Sequence, residues 1–173
     1  MPPFSGSSAA VLQHAVGTWT LAGPTVAGFN VGNLGKRVRG TIPVSSAHFE
    51  IREDGSVRDV HAVLDIASID TGHAKRDSDL RKPGLLDLNN HPQMTFDAAE
   101  VVALKDGWTV NGLLTVKGTT REITLDVTVE QPSEGTARVR MNGRLDRRHY
   151  GIKAPRFLIG ALVDLQIEAV FGR

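Results

Sequence analysis

Residues 123–130 read Ile123-Thr124-Leu125-Asp126-Val127-Thr128-Val129-Glu130, apolar and polar in strict alternation. Period two puts Ile123, Leu125, Val127 and Val129 on one face and the polar four on the other, which is a strand with one face in a core and one in water. Working outward, Trp108, Val110, Leu114 and Val116 repeat the pattern against Thr109, Asn111 and Thr115. Ala137, Val139, Met141 and Leu145 alternate with Arg138, Arg140, Asn142 and Arg144. The last run carries Ala161, Val163, Leu165, Ile167, Ala169 and Phe171 between Asp164, Gln166 and Glu168. Further strands are expected near residues 18–22, 26–33, 37–52, 57–68 and 93–103.

Turn chemistry separates these runs at Asp54-Gly55, Asp106-Gly107, Lys117-Gly118 and Glu134-Gly135. A two-residue loop at Asp106-Gly107 pairs Ala103 with Val110 and Val101 with Gly112. One at Lys117-Gly118 pairs Val110 with Leu125 and Trp108 with Val127. Both keep the apolar faces together, as a meander requires. Gly112 and Gly143 sit inside alternating runs and read as bulges or bends. Residues 70–91 break the alternation: Asp70 and Thr71 can cap a short helix through Lys82, stopped by Pro83-Gly84. The expected class is all-β, about eight or nine antiparallel strands with one short helical excursion, closing into a barrel because closure removes strand edges. A two-sheet sandwich is the competing architecture. Residues 1–16 read as a flexible leader with a short helix, and 17–173 as the barrel domain.

Composition bounds the function. The chain has 173 residues, 40% hydrophobic but only 5% aromatic, so its core is mainly aliphatic. Twenty Lys and Arg against 19 Asp and Glu give a net charge of +1, and nothing in that balance suggests a nucleic-acid partner. The absence of Cys excludes disulfides and Cys nucleophiles. No apolar run of about 18 residues occurs, so no integral membrane segment is expected. Met1–Ser8 carries neither a basic residue nor an apolar stretch, which makes the cytoplasm the expected compartment.

The block Ser68-Ile69-Asp70-Thr71-Gly72, Arg76-Asp77, Leu80-Arg81, His91-Pro92 and Thr95-Phe96 resembles the central signature of the YceI-like family. Val110 to Arg121 and Asp146-Arg147-Arg148-His149-Tyr150-Gly151-Ile152 agree with it, and the resemblance runs from about Trp19 to Phe171. It implies an all-β fold, an extended antiparallel eight-stranded lipocalin-like barrel with one short helical excursion, whose bore holds a long-chain lipid of the polyisoprenoid or isoprenoid quinone type. It also implies no catalytic activity, and many family members are exported. The chain departs from the pattern at Ala22, Pro24-Thr25, Asn33-Leu34 and Leu85-Leu86.

A lipid site needs an apolar lining and polar groups at one end. The inward candidates are Phe29, Val31, Leu64, Ile66, Phe96, Trp108, Val110 and Leu114 on the first half of the chain. Ile123, Leu125, Val127, Met141, Leu145, Val163 and Leu165 complete them. The same residues can instead fill an eight-stranded barrel with no ligand. That is the alternative function, a structural or stress-related interaction barrel, with a homodimer as its assembly.

Candidate head-group contacts are Arg76 and Arg81 on the excursion, and Arg147, Arg148, Lys153 and Arg156 before the last strand. Local pairing, Arg76 with Asp77 or Asp79 and Arg147 with Asp146, is the competing use of these charges. His48 is expected opposite His61, with Phe49 against Val60 and Glu50 against Asp59. The pair lacks a third ligand, so no metal is assigned. The Asp-rich excursion near His73 and His91 could hold an acid–base pair, but capping and turn duties account for its carboxylates. No catalytic residue and no cofactor is assigned.

Overall fold

The alternating runs form nine antiparallel strands in the computed structural model, which describes residues 15–33, 36–133, 135–153 and 159–173. They are β1 (Gly17–Leu21), β2 (Val26–Asn33), β3 (Lys36–Ile51), β4 (Val57–Leu64), β5 (Met94–Ala103), β6 (Trp108–Val116), β7 (Thr119–Ser133), β8 (Thr136–Asp146) and β9 (Ile159–Gly172). β1 and β2 lie end to end along the 16-residue β3, with Gly17 facing Ile51 and Val26 facing Pro43. Both also pair with β9. They therefore share one position in the wall, interrupted at Ala22–Thr25, where Pro24 has no N–H to donate. β3 pairs with β4 as well, so the sheet closes and nine segments make an eight-stranded antiparallel barrel. The proposed leader and its helix fall mostly on residues 1–14, outside the described residues.

Alternation decides which side chains point inward. Along β6 the buried residues are Trp108, Val110, Gly112, Leu114 and Val116. Lys117 and Gly118 both take positive φ, +52° and +74°, the two-residue type I′ geometry that matches strand twist. The resulting register sets Val110 against Leu125 and Trp108 against Val127, as expected.

Two other registers differ from expectation. Ala103 pairs with Trp108, not Val110, and Val101 with Val110, because the loop is Lys105-Asp106, closed by Leu104 N–H to the Gly107 carbonyl at 2.8 Å. The shift is by two residues, so the apolar face stays inward. At the β3–β4 hairpin His48 does face His61, but Glu50 faces Arg58 rather than Asp59. A bulge sets Asp59 and Val60 against Phe49 alone, with Asp59 at φ +53°, a conformation Asp tolerates better than most residues. The bulge replaces a like-charge pair with an opposite one.

Between β4 and β5 the chain leaves the wall through a 3-10 turn at Ile66–Ser68 and the helix α1 (Ala74–Leu80). α1 is shorter than the expected span to Lys82, and its N-cap is His73, whose Nδ1 accepts the Arg76 N–H at 3.2 Å. Asp70 instead accepts the Gly72 N–H at 2.8 Å, closing the turn ahead of it. Two backbone hydrogen bonds between Thr41 and Asp70, 2.9 and 3.0 Å, fasten the excursion to β3. Leu86 and Leu88 are buried beneath it.

Candidate functional site

The inward faces enclose two voids. The upper one has a volume of about 490 Å³ and lies under the excursion, within the range of small-molecule pockets. Of the lining expected from the sequence, Phe29, Val31, Ile66, Leu145, Val163 and Leu165 meet it. So do Val38, Ile42, Ile69, Leu80, Leu85, Leu86, Met94 and Ile152, which sequence periodicity did not single out, and Val116, which it placed on an apolar face without naming it as lining. The lower void is about 120 Å³, and Phe96, Trp108, Val110, Leu125, Val127 and Met141 line it. Leu64, Leu114 and Ile123 meet neither void. Leu64 and Leu114 are buried core residues, and Ile123 is half-buried against that core.

Aromatic side chains stopper the lower end. Trp19 stacks on Phe49 at 6.1 Å between centroids, and Phe171 meets Phe49 edge-on at 4.9 Å. The Trp19 indole N–H donates to the Ala15 carbonyl at 2.7 Å. The upper end reaches water: His73 and Lys75, both exposed, belong to the rim of the larger void together with Thr71, Arg76 and Asp79. The bore is therefore blind at one end and polar at the other.

That rim is held by a small network. Asp77 accepts the Thr71 N–H at 3.1 Å and its hydroxyl. The Arg76 guanidinium donates to the Thr71 hydroxyl and carbonyl oxygens, each at 2.8 Å. Lys82 bonds Asp79 at 2.9 Å, and that bond holds the Asp79 carboxyl below its ordinary value. On the opposite wall Arg147 is only 4% exposed, yet it lines the cavity. Its Nε donates to the Gly160 carbonyl and its Nη1 to that of Ile152, both at 2.9 Å. Carbonyl oxygens thus satisfy part of this buried guanidinium beside the void.

Asp146 caps the 3-10 turn Arg147–Tyr150 that carries Arg147, accepting the Arg148 N–H at 3.0 Å. The Arg148 side chain hydrogen-bonds the same carboxylate, which is held well below its usual range for that reason. Gly151 ends the turn at φ +69°.

Two of the six expected head-group cations, Arg76 and Arg147, thus border the larger void. Arg81 donates to the Ala67 carbonyl and to Asn89, each at 3.1 Å, and Arg148 is committed to Asp146. Lys153 gives its backbone N–H to the Gly84 carbonyl at 2.9 Å. Arg156 lies outside the described residues. The His48 and His61 rings face each other at 5.6 Å on the β3–β4 pair, and His61 Nδ1 bonds the Asp97 carboxylate. Among the described residues no group of three or more His, Asp or Glu is placed to hold a metal ion.

The model of the YceI-like domain family matches residues 19–171. The chain belongs to the YceI-like family. A UPF0312 protein of Yersinia enterocolitica is 42% identical over 67 residues, 39% of this chain and 35% of that protein. The matched stretch is thus about a third of that relative's length. Among solved structures, Burkholderia cenocepacia BcnA superposes with a TM-score of 0.69 at 16% identity, covering 85% of this chain and 95% of BcnA. A polyisoprenoid binding domain from Saccharophagus degradans superposes with a TM-score of 0.64 at 15% identity, covering 89% and 97%. At such identities these neighbours establish the shared barrel fold.

Proposed function

We propose that this YceI-like barrel is a non-catalytic binding protein that carries a long-chain isoprenoid lipid in its upper cavity. The tail lies among Phe29, Ile42, Leu145 and Leu165, and the head group meets the rim at Arg76 and Arg147. What carries the reading is the void of about 490 Å³, lined almost wholly by aliphatic side chains and bordered by charge at one end only. A one-ended polar rim orients an amphiphile: the tail gains burial from the lining, and the head group keeps water or charged partners. The polyisoprenoid binding domain of Saccharophagus degradans, which shares the fold, supports the choice of lipid class.

The Thr71 hydroxyl at the rim is held between the Asp77 carboxylate and the Arg76 guanidinium, and Asp79 is engaged by Lys82. Groups committed to holding the excursion in this way favour binding over catalysis. Native mass spectrometry of gently purified protein, before and after organic extraction, tests the proposal. A mass lost on extraction and restored by added prenyl lipid is expected; no loss and no uptake would overturn it.

A further inference from the structure

The two voids share no lining residue, and on several strands a buried side chain stands between them. On β4, Ala62 meets the lower void, Ile66 just beyond the strand meets the upper, and Leu64 between them meets neither. On β6 the same sequence runs Val110, Leu114, Val116, with Leu114 in the middle. On β9, Leu165 meets the upper void, Phe171 the lower, and Ile167 neither. Leu64 and Leu114 are 6% and 3% exposed, and Ile167 packs on the same core. Leu64, Leu114 and Ile167 thus stand between the two voids on β4, β6 and β9.

Glycines in the wall seat large side chains, two of which line the lower void. The Phe96 ring lies across Gly112, where an added Cβ would come within 2.5 Å of it, and Leu125 lies across Gly143 at the same distance. Side chains laid flat over glycines leave the lower space open, and Leu64, Leu114 and Ile167 stand between it and the upper void. An apolar void in a close-packed interior costs stability, so a lower chamber that nothing enters is a liability those three residues maintain.

Resting on the lipid-binding reading above, we infer that Leu64, Leu114 and Ile167 form a floor that sets how long a tail the cavity accepts. A tail that ends at the floor buries completely. A longer one must leave its excess at the rim, in water, and gains nothing from it. Each methylene that newly gains burial is worth about fourfold in affinity. Opening the floor lets several methylenes reach the lower chamber, so the retention of a long tail relative to a short one rises by roughly tenfold or more.

Competitive loading with farnesol, geranylgeraniol and solanesol, read by native mass spectrometry, tests this on the full chain. Leu114→Ala is expected to shift the bound population toward the longer alcohols, and Ala62→Leu added to it, refilling the lower chamber, is expected to reverse the shift. Where Leu114→Ala does not fold, Leu114→Val carries the same test with a smaller shift in the same direction. A folded variant that binds prenyl alcohols with the original length ranking overturns the floor alone. A native protein that takes up none of the three overturns the lipid-binding reading, and the floor with it.

Discussion

At the scale of single residues, small side chains decide where large ones lie. Gly112 is buried on the inner face of β6, and a Cβ there would fall 2.5 Å from the Phe96 ring and 2.6 Å from the Asp97 carbonyl oxygen. The carbonyl belongs to the wall and cannot turn away, so Gly112→Ala is expected to destabilise the barrel by about 1–3 kcal/mol. Gly143→Ala meets the Leu125 side chain at 2.5 Å but backbone only at 3.4 Å, and a Leu can change rotamer. Its cost is expected to be smaller, and thermal unfolding of the two variants side by side checks the order.

Asp146 provides a second test at this scale. Its hydrogen bonds from Arg148 lower its pKa, so what it contributes is complete above the unfolded value of about 4. That contribution is lost as pH falls through the lowered folded value. Carbon-detected titration is expected to find Asp146 protonating well below the ordinary Asp value. Asp146→Ala is expected to cost about 1 kcal/mol through loss of the cap.

At the scale of elements, the sequence is most readable where local chemistry alone determines the outcome. The Lys117-Gly118 turn and the alternation on either side predict the β6–β7 register residue by residue. The β5–β6 register comes out two residues away, because Leu104 and Gly107 close the loop inside the Asp106-Gly107 signal. The bulge at Asp59 has no signature of its own; it follows from how Phe49 and its neighbours pack across two strands. The excursion is the least readable part. Leu80, Leu85 and Leu86 line the upper void without belonging to any periodic run, so alternation could not nominate them.

What braces this excursion internally is visible only in three dimensions, in the Asp77–Thr71–Arg76 network. Asp77→Ala removes the acceptor of the Thr71 N–H and hydroxyl. It is expected to raise amide exchange across residues 70–82 at least tenfold while leaving β6 and β7 unchanged. Hydrogen-exchange mass spectrometry checks this, and equal changes throughout the barrel would show that the network supports the whole fold instead.

At the scale of the molecule, a chain 40% hydrophobic but 5% aromatic divides its apolar residues by task. Trp19, Phe49 and Phe171 stopper one end, and Leu, Ile and Val line the space at the other. The choice between a filled and an open barrel resolves along its axis: close-packed below Leu64 and Leu114 except for a void of about 120 Å³, and open above them. The near-zero net charge conceals the same division, since Arg76 and Arg147 stand at the open end. The most direct measurement is a crystal structure of protein purified without detergent. The account predicts elongated density in the upper cavity, its apolar end resting on Leu64 and Leu114 and its polar end within hydrogen-bonding distance of Arg76 or Arg147. An upper cavity closed by its own side chains, or holding only ordered water, would contradict it.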